Sequence, residues 1–324
     1  MKLALERFPS DRNRSLIKKS RKTRNPERQS DSIGSKPALP GQDAPILDLV
    51  RSFSLEMTAK DVASLADAAP MIPAGTPISV TYLPGETMPA RVAAARTVKS
   101  LGFVPVPHIS ARRIPSKDDL VEFLTVLDGE VGIDRAFVIA GDPPAPMGPY
   151  EDALAVIRSG LLDRAGIGTV GISGYPEGHP DIGREKLDQA MKDKIAALAE
   201  QGKRVEIMTQ FAFDADAILD WLARIRRDGV AAPVRIGLPG PASVGKLIRF
   251  AARCGVGASA RVMVKYGASI TRLLSTAGPE HLIESLARQR DPAIHGEAML
   301  HFYPFGALVD TARFIRSHYG DACE

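Results

Sequence analysis

The chain has 324 residues, 44% hydrophobic and 25% charged, and a formal charge of +4. That balance is ordinary for a globular protein able to bury a large core. No run of 18 apolar residues argues for a membrane span. The only cysteines, Cys254 and Cys323, lack metal-ligand spacing, which argues against a structural zinc site and for a reducing, cytoplasmic setting.

Charge divides the chain. Residues 1–44 hold eleven Lys or Arg against five Asp or Glu, a net of +6, so the remainder stands at −2. The segment is polar throughout, as in S-L-I-K-K-S-R-K-T-R-N-P-E-R-Q-S from Ser15. It reads first as a solvated, disordered arm, with a nucleic-acid or acidic-partner contact as the alternative. Its Arg and Ser content resembles an organelle transit peptide, but its acidic residues argue against that, and no apolar stretch of a secretory signal opens the chain. Pro40, Gly41 and Pro45 close the arm, and residues 45–324 are expected to form one folded domain.

From there short β-prone runs alternate with helical spacing. The expected strands are Ser52–Glu56, Ile78–Tyr82, Val104–His108, Ala136–Ala140, Thr169–Ser173, Val205–Gln210, Val234–Leu238 and Met299–Tyr303. They are apolar on both faces, as covered parallel strands are. Between them Leu187, Met191, Ile195 and Leu198 share a helix face, with Gly202 at the C-terminal stop. Ile218, Leu222 and Ile225 share another, with Asp214 as N-cap. Eight strand–helix units predict a (β/α)₈ TIM barrel. The interval 239–298 is too long for one helix and predicts extra helices before the last strand.

In such a barrel the chemistry sits where strands end. Here those ends carry Glu56 in F-S-L-E, Thr81 and Tyr82 in S-V-T-Y, His108 in V-P-H, Gly141 and Asp142 in G-D-P-P, Tyr175 and His179 in Y-P-E-G-H-P, and Gln210 in T-Q-F-A-F-D. Six polar ends converging on one face are hard to explain as packing. A further segment, Gly240 to Leu247, nearly spells a phosphate-binding loop, but Leu247 stands where a Mg²⁺-holding Ser or Thr belongs, so an ordinary barrel loop is expected.

This ordered set resembles the methylenetetrahydrofolate reductase family, with a weaker echo in L-H-F-Y near Tyr303. The resemblance implies a flavoprotein barrel of one-carbon metabolism and methionine biosynthesis. Such a barrel passes hydride from NAD(P)H through FAD to 5,10-methylenetetrahydrofolate, giving 5-methyltetrahydrofolate. Glu56 would be the general acid, expected to be desolvated by Phe53, Leu55 and Met57. Asp142 would hydrogen-bond the pterin and steady the iminium, and Gln210 would contact folate and nicotinamide in turn. Thr81, Tyr82, His108, Gly141, Asp142, Tyr175 and His179 would line the cofactor, and Lys194 would reach its phosphate. The partners implied are a folate and a pyridine nucleotide; no metal and no membrane are expected, and a homo-oligomer is left open.

The chain departs from the family pattern at Met57–Lys60, where aromatics and prolines are usual, and at Ala140 and Ala307, where arginines are. The sequence therefore leaves open three cases: FAD held in another way, FAD held weakly, or hydride passing directly to folate without flavin. A folate-dependent methyltransferase and a non-enzymatic folate- or flavin-binding protein also remain as readings.

Overall fold

Every strand of the sheet is short, and each hands its chain to a connection that returns it parallel to its neighbour. A computed structural model describes residues 43–253 and 276–320, all within the compact unit Leu39–Glu324. The basic segment up to residue 42, Cys254 and Cys323 lie outside the described residues.

A short helix, α1 (Asp43–Val50), leads into β1 (Ser54–Met57). Then follow α2 (Val62–Ala68), β2 (Pro77–Val80), α3 (Met88–Ser100), β3 (Val104–Ser110), α4 (Lys117–Val131) and β4 (Arg135–Ile139). Next come α5 (Ala153–Arg158), α6 (Leu161–Arg164), β5 (Thr169–Gly174), α7 (Arg184–Glu200), β6 (Arg204–Thr209), α8 (Ala215–Arg227) and β7 (Val234–Pro239). A two-stranded pair, β8 (Ala242–Ser243) and β9 (Thr276–Ala277), and α9 (Val244–Arg253) lie beyond β7. Helices α10 (Glu280–Gln289) and α11 (Pro292–His295) precede the last barrel strand, β10 (Ala298–Tyr303), and α12 (Leu308–Tyr319) follows it. Hydrogen bonding runs β1-β2-β3-β4-β5-β6-β7-β10 and back to β1, all parallel, as a closed (β/α)₈ barrel. The extra helices stand where the long interval required them. No helix among the described residues is long and apolar enough to cross a membrane.

The expected helix faces are the buried ones. Ile218, Leu222 and Ile225 are buried on α8, and the Asp214 carboxylate accepts from the N–H groups of Asp216 and Ala217 at its start. On α7 Met191 and Leu198 are buried, and Gly202 takes a φ of +65° just past the helix end. Strand bounds differ from expectation by one or two residues. The first strand begins at Ser54 because α1 and its turn consume residues up to Phe53, and β3 runs on to Ser110.

Alternation along each strand separates two cores. Leu55, Met57, Ile78 and Val138 belong to the large core between sheet and helices. Inside the barrel a small apolar cluster, Val106, Phe137 and Met208, is ringed by polar side chains. Toward the strand starts Glu206 pairs with Arg135 at 3.0 Å and Arg235 at 2.9 Å, and Arg235 also donates to the Ser52 carbonyl at 2.9 Å. Burial alone would raise the Glu206 carboxyl, but the charges and hydrogen bonds of Arg235 and Arg135 outweigh it and hold its pKa below the usual value.

Candidate functional site

Glu56 and Ser54 are two apart on β1, so both face the barrel interior. Leu55 and Met57 point the other way, into the outer core, and Phe53 packs edge-on against Phe302 in that same core. The expected apolar neighbours therefore do not surround the carboxyl; strand alternation forbids it. The interior does the desolvating instead. With its side chain 21% exposed, Glu56 has its pKa raised by burial to about 8, with a further push from the Asp61 carboxylate.

Asp61 is there because of the segment that departs from the family pattern. Residues Ala59–Asp61 form one 3₁₀ turn closed by a capping box, in which the Asp61 carboxylate accepts from both the N–H and the hydroxyl of Thr58 at 2.8 Å. Glu86 ties this turn to the loop after β2 by accepting from the N–H groups of Ala59 and Leu83.

The Nε2 atom of His108 lies 3.8 Å from Glu56 Oε2. Burial and the nearby Arg91 guanidinium push that imidazole down to about 3. At neutral pH both groups are mainly uncharged, so this is a contact of a carboxylic acid with an imidazole and not an ion pair. Neither ring nitrogen of His108 has a hydrogen-bond partner among the described residues, although Phe137 packs edge-on at 4.8 Å between centroids. His301 on β10 is the second interior imidazole. Its Nδ1 meets Ser54 Oγ at 2.8 Å, its Nε2 has no partner among the described residues, and its pKa lies well below the usual value through burial, Arg235 and His108. The L-H-F-Y echo was the available signal for it.

At the mouth, Gly141 has a φ of +91°, and a Cβ there would stand 2.1 Å from Ser110 Oγ. Gly141→Ala is expected to cost about 1–3 kcal/mol through the left-handed backbone, as measured by chemical denaturation. Next to it Asp142 is 68% exposed, and its Oδ1 accepts from Nε of Arg113 at 2.9 Å and from a second guanidinium nitrogen. Tyr82 carries the Arg91 guanidinium 4.0 Å and the Arg113 guanidinium 5.4 Å from its ring centroid. Thr81 extends the β1–β2 pairing by donating its N–H to the Met57 carbonyl at 2.9 Å.

Gln210 lies one residue past β6, its side-chain oxygen accepting from the Phe211 N–H at 3.1 Å. Beside it Phe211, Tyr303, Phe305 and Phe250 form an aromatic wall. Phe250 and Phe305 stack at 4.2 Å, and Phe305 holds the only positive φ of a non-glycine residue among the described residues, +51°. That wall was not anticipated, because Phe250 and Phe305 fall outside the strand-end motifs. Tyr175 and His179 meet edge-on at 5.5 Å after β5. Lys194 on α7 is buried. Its pKa is lowered by that burial and partly restored by Asp152, and it makes no hydrogen bond or ion pair among the described residues. The phosphate-loop resemblance dissolves: at Gly240 a Cβ would strike Thr311 Oγ1 of α12 at 2.2 Å, so that backbone is packed.

The predicted residues thus fall into groups. Glu56 contacts His108, Asp142 is joined through Arg113 to Tyr82, and Tyr175 contacts His179. No hydrogen bond joins Glu56 to Asp142 or Gln210 among the described residues.

Comparison with known proteins bears on this arrangement. Methylenetetrahydrofolate reductase 2 of Saccharomyces cerevisiae is 28% identical over 162 residues, 45% of this chain and 25% of that protein, so the match spans about a quarter of that relative's length. Among solved structures, dihydropteroate synthase from Thermus thermophilus aligns with a TM-score of 0.44 at 14% identity, over 84% of this chain and 96% of that one. The catalytic domain of a mannanase from Streptomyces sp. SirexAA-E aligns with a TM-score of 0.46 at 11% identity, over 85% of this chain and 86% of that one. A family model described as methylenetetrahydrofolate reductase matches residues 53–307. Since that stretch runs from the residue before β1 to the turn after β10 and takes in the whole barrel, the chain belongs to the methylenetetrahydrofolate reductase family.

Proposed function

We propose that residues 45–324 form a methylenetetrahydrofolate reductase that converts 5,10-methylenetetrahydrofolate to 5-methyltetrahydrofolate with NAD(P)H, through FAD. The observation that carries this reading is the Glu56 carboxyl set inside the barrel 3.8 Å from His108, within the span matched by the family model, where burial raises its pKa to about 8. Opening the imidazolidine ring of the substrate needs a proton on a weakly basic nitrogen. Glu56 gives up that proton, the carbon–nitrogen bond breaks with its electron pair going to the protonated nitrogen, and the iminium carbon left behind accepts hydride. A carboxylic acid ionised at its ordinary value would hold no proton to give at neutral pH. Asp142 offers negative charge beside the iminium and an acceptor for the pterin. Gln210 both donates and accepts, which suits successive contacts with folate and nicotinamide.

Two residues support the flavin reading. Lys194 is largely buried, with its pKa lowered by that burial, and its charge could pair with a diphosphate, and His108 has two ring nitrogens without a hydrogen-bond partner among the described residues. Thr81, Tyr82, His108, Gly141, Tyr175, His179 and Lys194 would hold the group. FAD, when bound, supplies the hydride relay between nicotinamide and folate.

The purified protein is expected to show a flavin absorption band that anaerobic NADH or NADPH bleaches and methylenetetrahydrofolate restores. Colourless protein that oxidises the nucleotide only in the presence of the folate would keep the reaction and remove the flavin. If neither nucleotide is consumed under any folate condition, the reductase reading is wrong.

A further inference from the structure

We propose that Arg113 is the positioning residue of the folate site, anchoring one oxygen of Asp142 so that the other alone faces the pterin. The inference rests on the reductase reading above and assigns a part of the site that none of the strand-end motifs contains.

The loops after β3 and β4 are clamped together by the turn Ala111–Arg113. The Arg112 N–H donates to the Ala140 carbonyl and the Arg112 carbonyl accepts from the Met147 N–H, both at 2.9 Å. The Arg112 side chain donates to the carbonyls of Glu151 at 2.7 Å and Pro143 at 3.2 Å. These bonds, all on one residue, fix the Gly141–Asp142 loop against the turn that carries Arg113. The Arg113 side chain, only 13% exposed, thereby meets the exposed Asp142, with the Tyr82 ring beside it.

Both guanidinium donors converge on Asp142 Oδ1. A carboxylate oxygen has two lone-pair directions, so Oδ1 is filled and Oδ2 keeps its own. Asp142 makes no other hydrogen bond among the described residues, which leaves Oδ2 at the mouth as a single oriented acceptor. The ligand chemistry that fits is a heterocycle presenting an N–H donor, from its ring or its exocyclic amine, as a pterin does. A free aspartate on an exposed loop would have to be ordered by the ligand; Arg113 orders it beforehand.

The test is calorimetric binding of 5-methyltetrahydrofolate to the whole protein, with steady-state kinetics alongside. Arg113→Gln is expected to weaken folate binding roughly tenfold or more, the range for losing a charge-assisted hydrogen bond. The KM for NAD(P)H should stay within about twofold, since a site loosened as a whole would move both. Arg113→Lys, which keeps the charge and one donor, should recover part of the loss. In an Asp142→Asn background, Arg113→Gln should add little, because its effect runs through the carboxylate. Unchanged folate affinity in Arg113→Gln overturns the proposal, and so does full additivity of the two substitutions. If the unsubstituted protein fails to bind 5-methyltetrahydrofolate, the folate reading falls first and takes this one with it.

Discussion

Replacing Glu56 by glutamine is expected to lower folate reduction by roughly two to four orders of magnitude, the usual worth of a general acid, while NAD(P)H oxidation by an artificial acceptor persists. Glutamine matches the shape of the protonated acid but has no proton to give. The unsubstituted protein should hold its folate activity up to about pH 8 and lose it above, as the acid ionises. The same substitution should stabilise the fold. The folded carboxyl, at about 8, stays protonated where the unfolded one, at 4.5, is ionised. The folded state therefore binds more protons between those values, and stability falls by about 1.4 kcal/mol per pH unit across that window. Glu56→Gln removes that slope, so its advantage in thermal melts should grow from pH 4.5 to 8 and then level off. Full turnover of methylenetetrahydrofolate by the variant would sink the general-acid assignment. A melting temperature that tracks the unsubstituted protein at every pH would sink the account of its burial.

The second large effect belongs to the opposite end of the barrel. Glu206→Ala should destabilise the protein by about 3–5 kcal/mol, because it strands the Arg135 and Arg235 guanidinium groups in the interior. Arg235 is the more costly of the two, its side chain being 6% exposed. The Glu206 carboxyl has its pKa held below the ordinary 4.5. Its stabilising contribution is therefore present above pH 4.5 and is lost as pH falls through the depressed value. Denaturant melts of variant and parent should differ most at neutral pH and converge in acid. A loss below about 1 kcal/mol at pH 7 would show that water reaches this end of the barrel and that the three charges are solvated. Folate affinity of whatever fraction stays folded should be unaffected, since barrel chemistry lies at the other mouth.

These two carboxylates show what strand alternation does with one residue type. Glu56 and Glu206 both face inward, yet one is kept neutral and the other ionised. The difference is the company each keeps. Glu56 meets a neutral imidazole and a like charge from Asp61; Glu206 meets two guanidinium groups. In the first case desolvation prevails, and in the second Coulomb attraction and hydrogen bonds outweigh it.

By itself the sequence determined the eight strands, the extra helices before the last of them, the caps at Asp214 and Gly202, and the polar residues that stand at the strand ends. These follow from local rules: apolar runs, 3.6-residue spacing and turn chemistry act over a dozen residues or fewer. It also marked Glu56 as a carboxylate worth explaining. Only the tertiary structure decided what surrounds that carboxylate. Alternation says that Leu55 and Glu56 face opposite ways, but not which way is the barrel interior. Closure of the sheet decides that, by setting Ser54 against His301 across 247 positions and His108 against Glu56 across two strand spacings. For the same reason Arg113 and the Arg135–Glu206–Arg235 group were not legible. In sequence they are ordinary charged residues with no periodic signal, and their partners lie on other strands or loops. Glu56 owes its proton to that closure, because burial in a shared interior is a property of the assembled barrel and of no single strand.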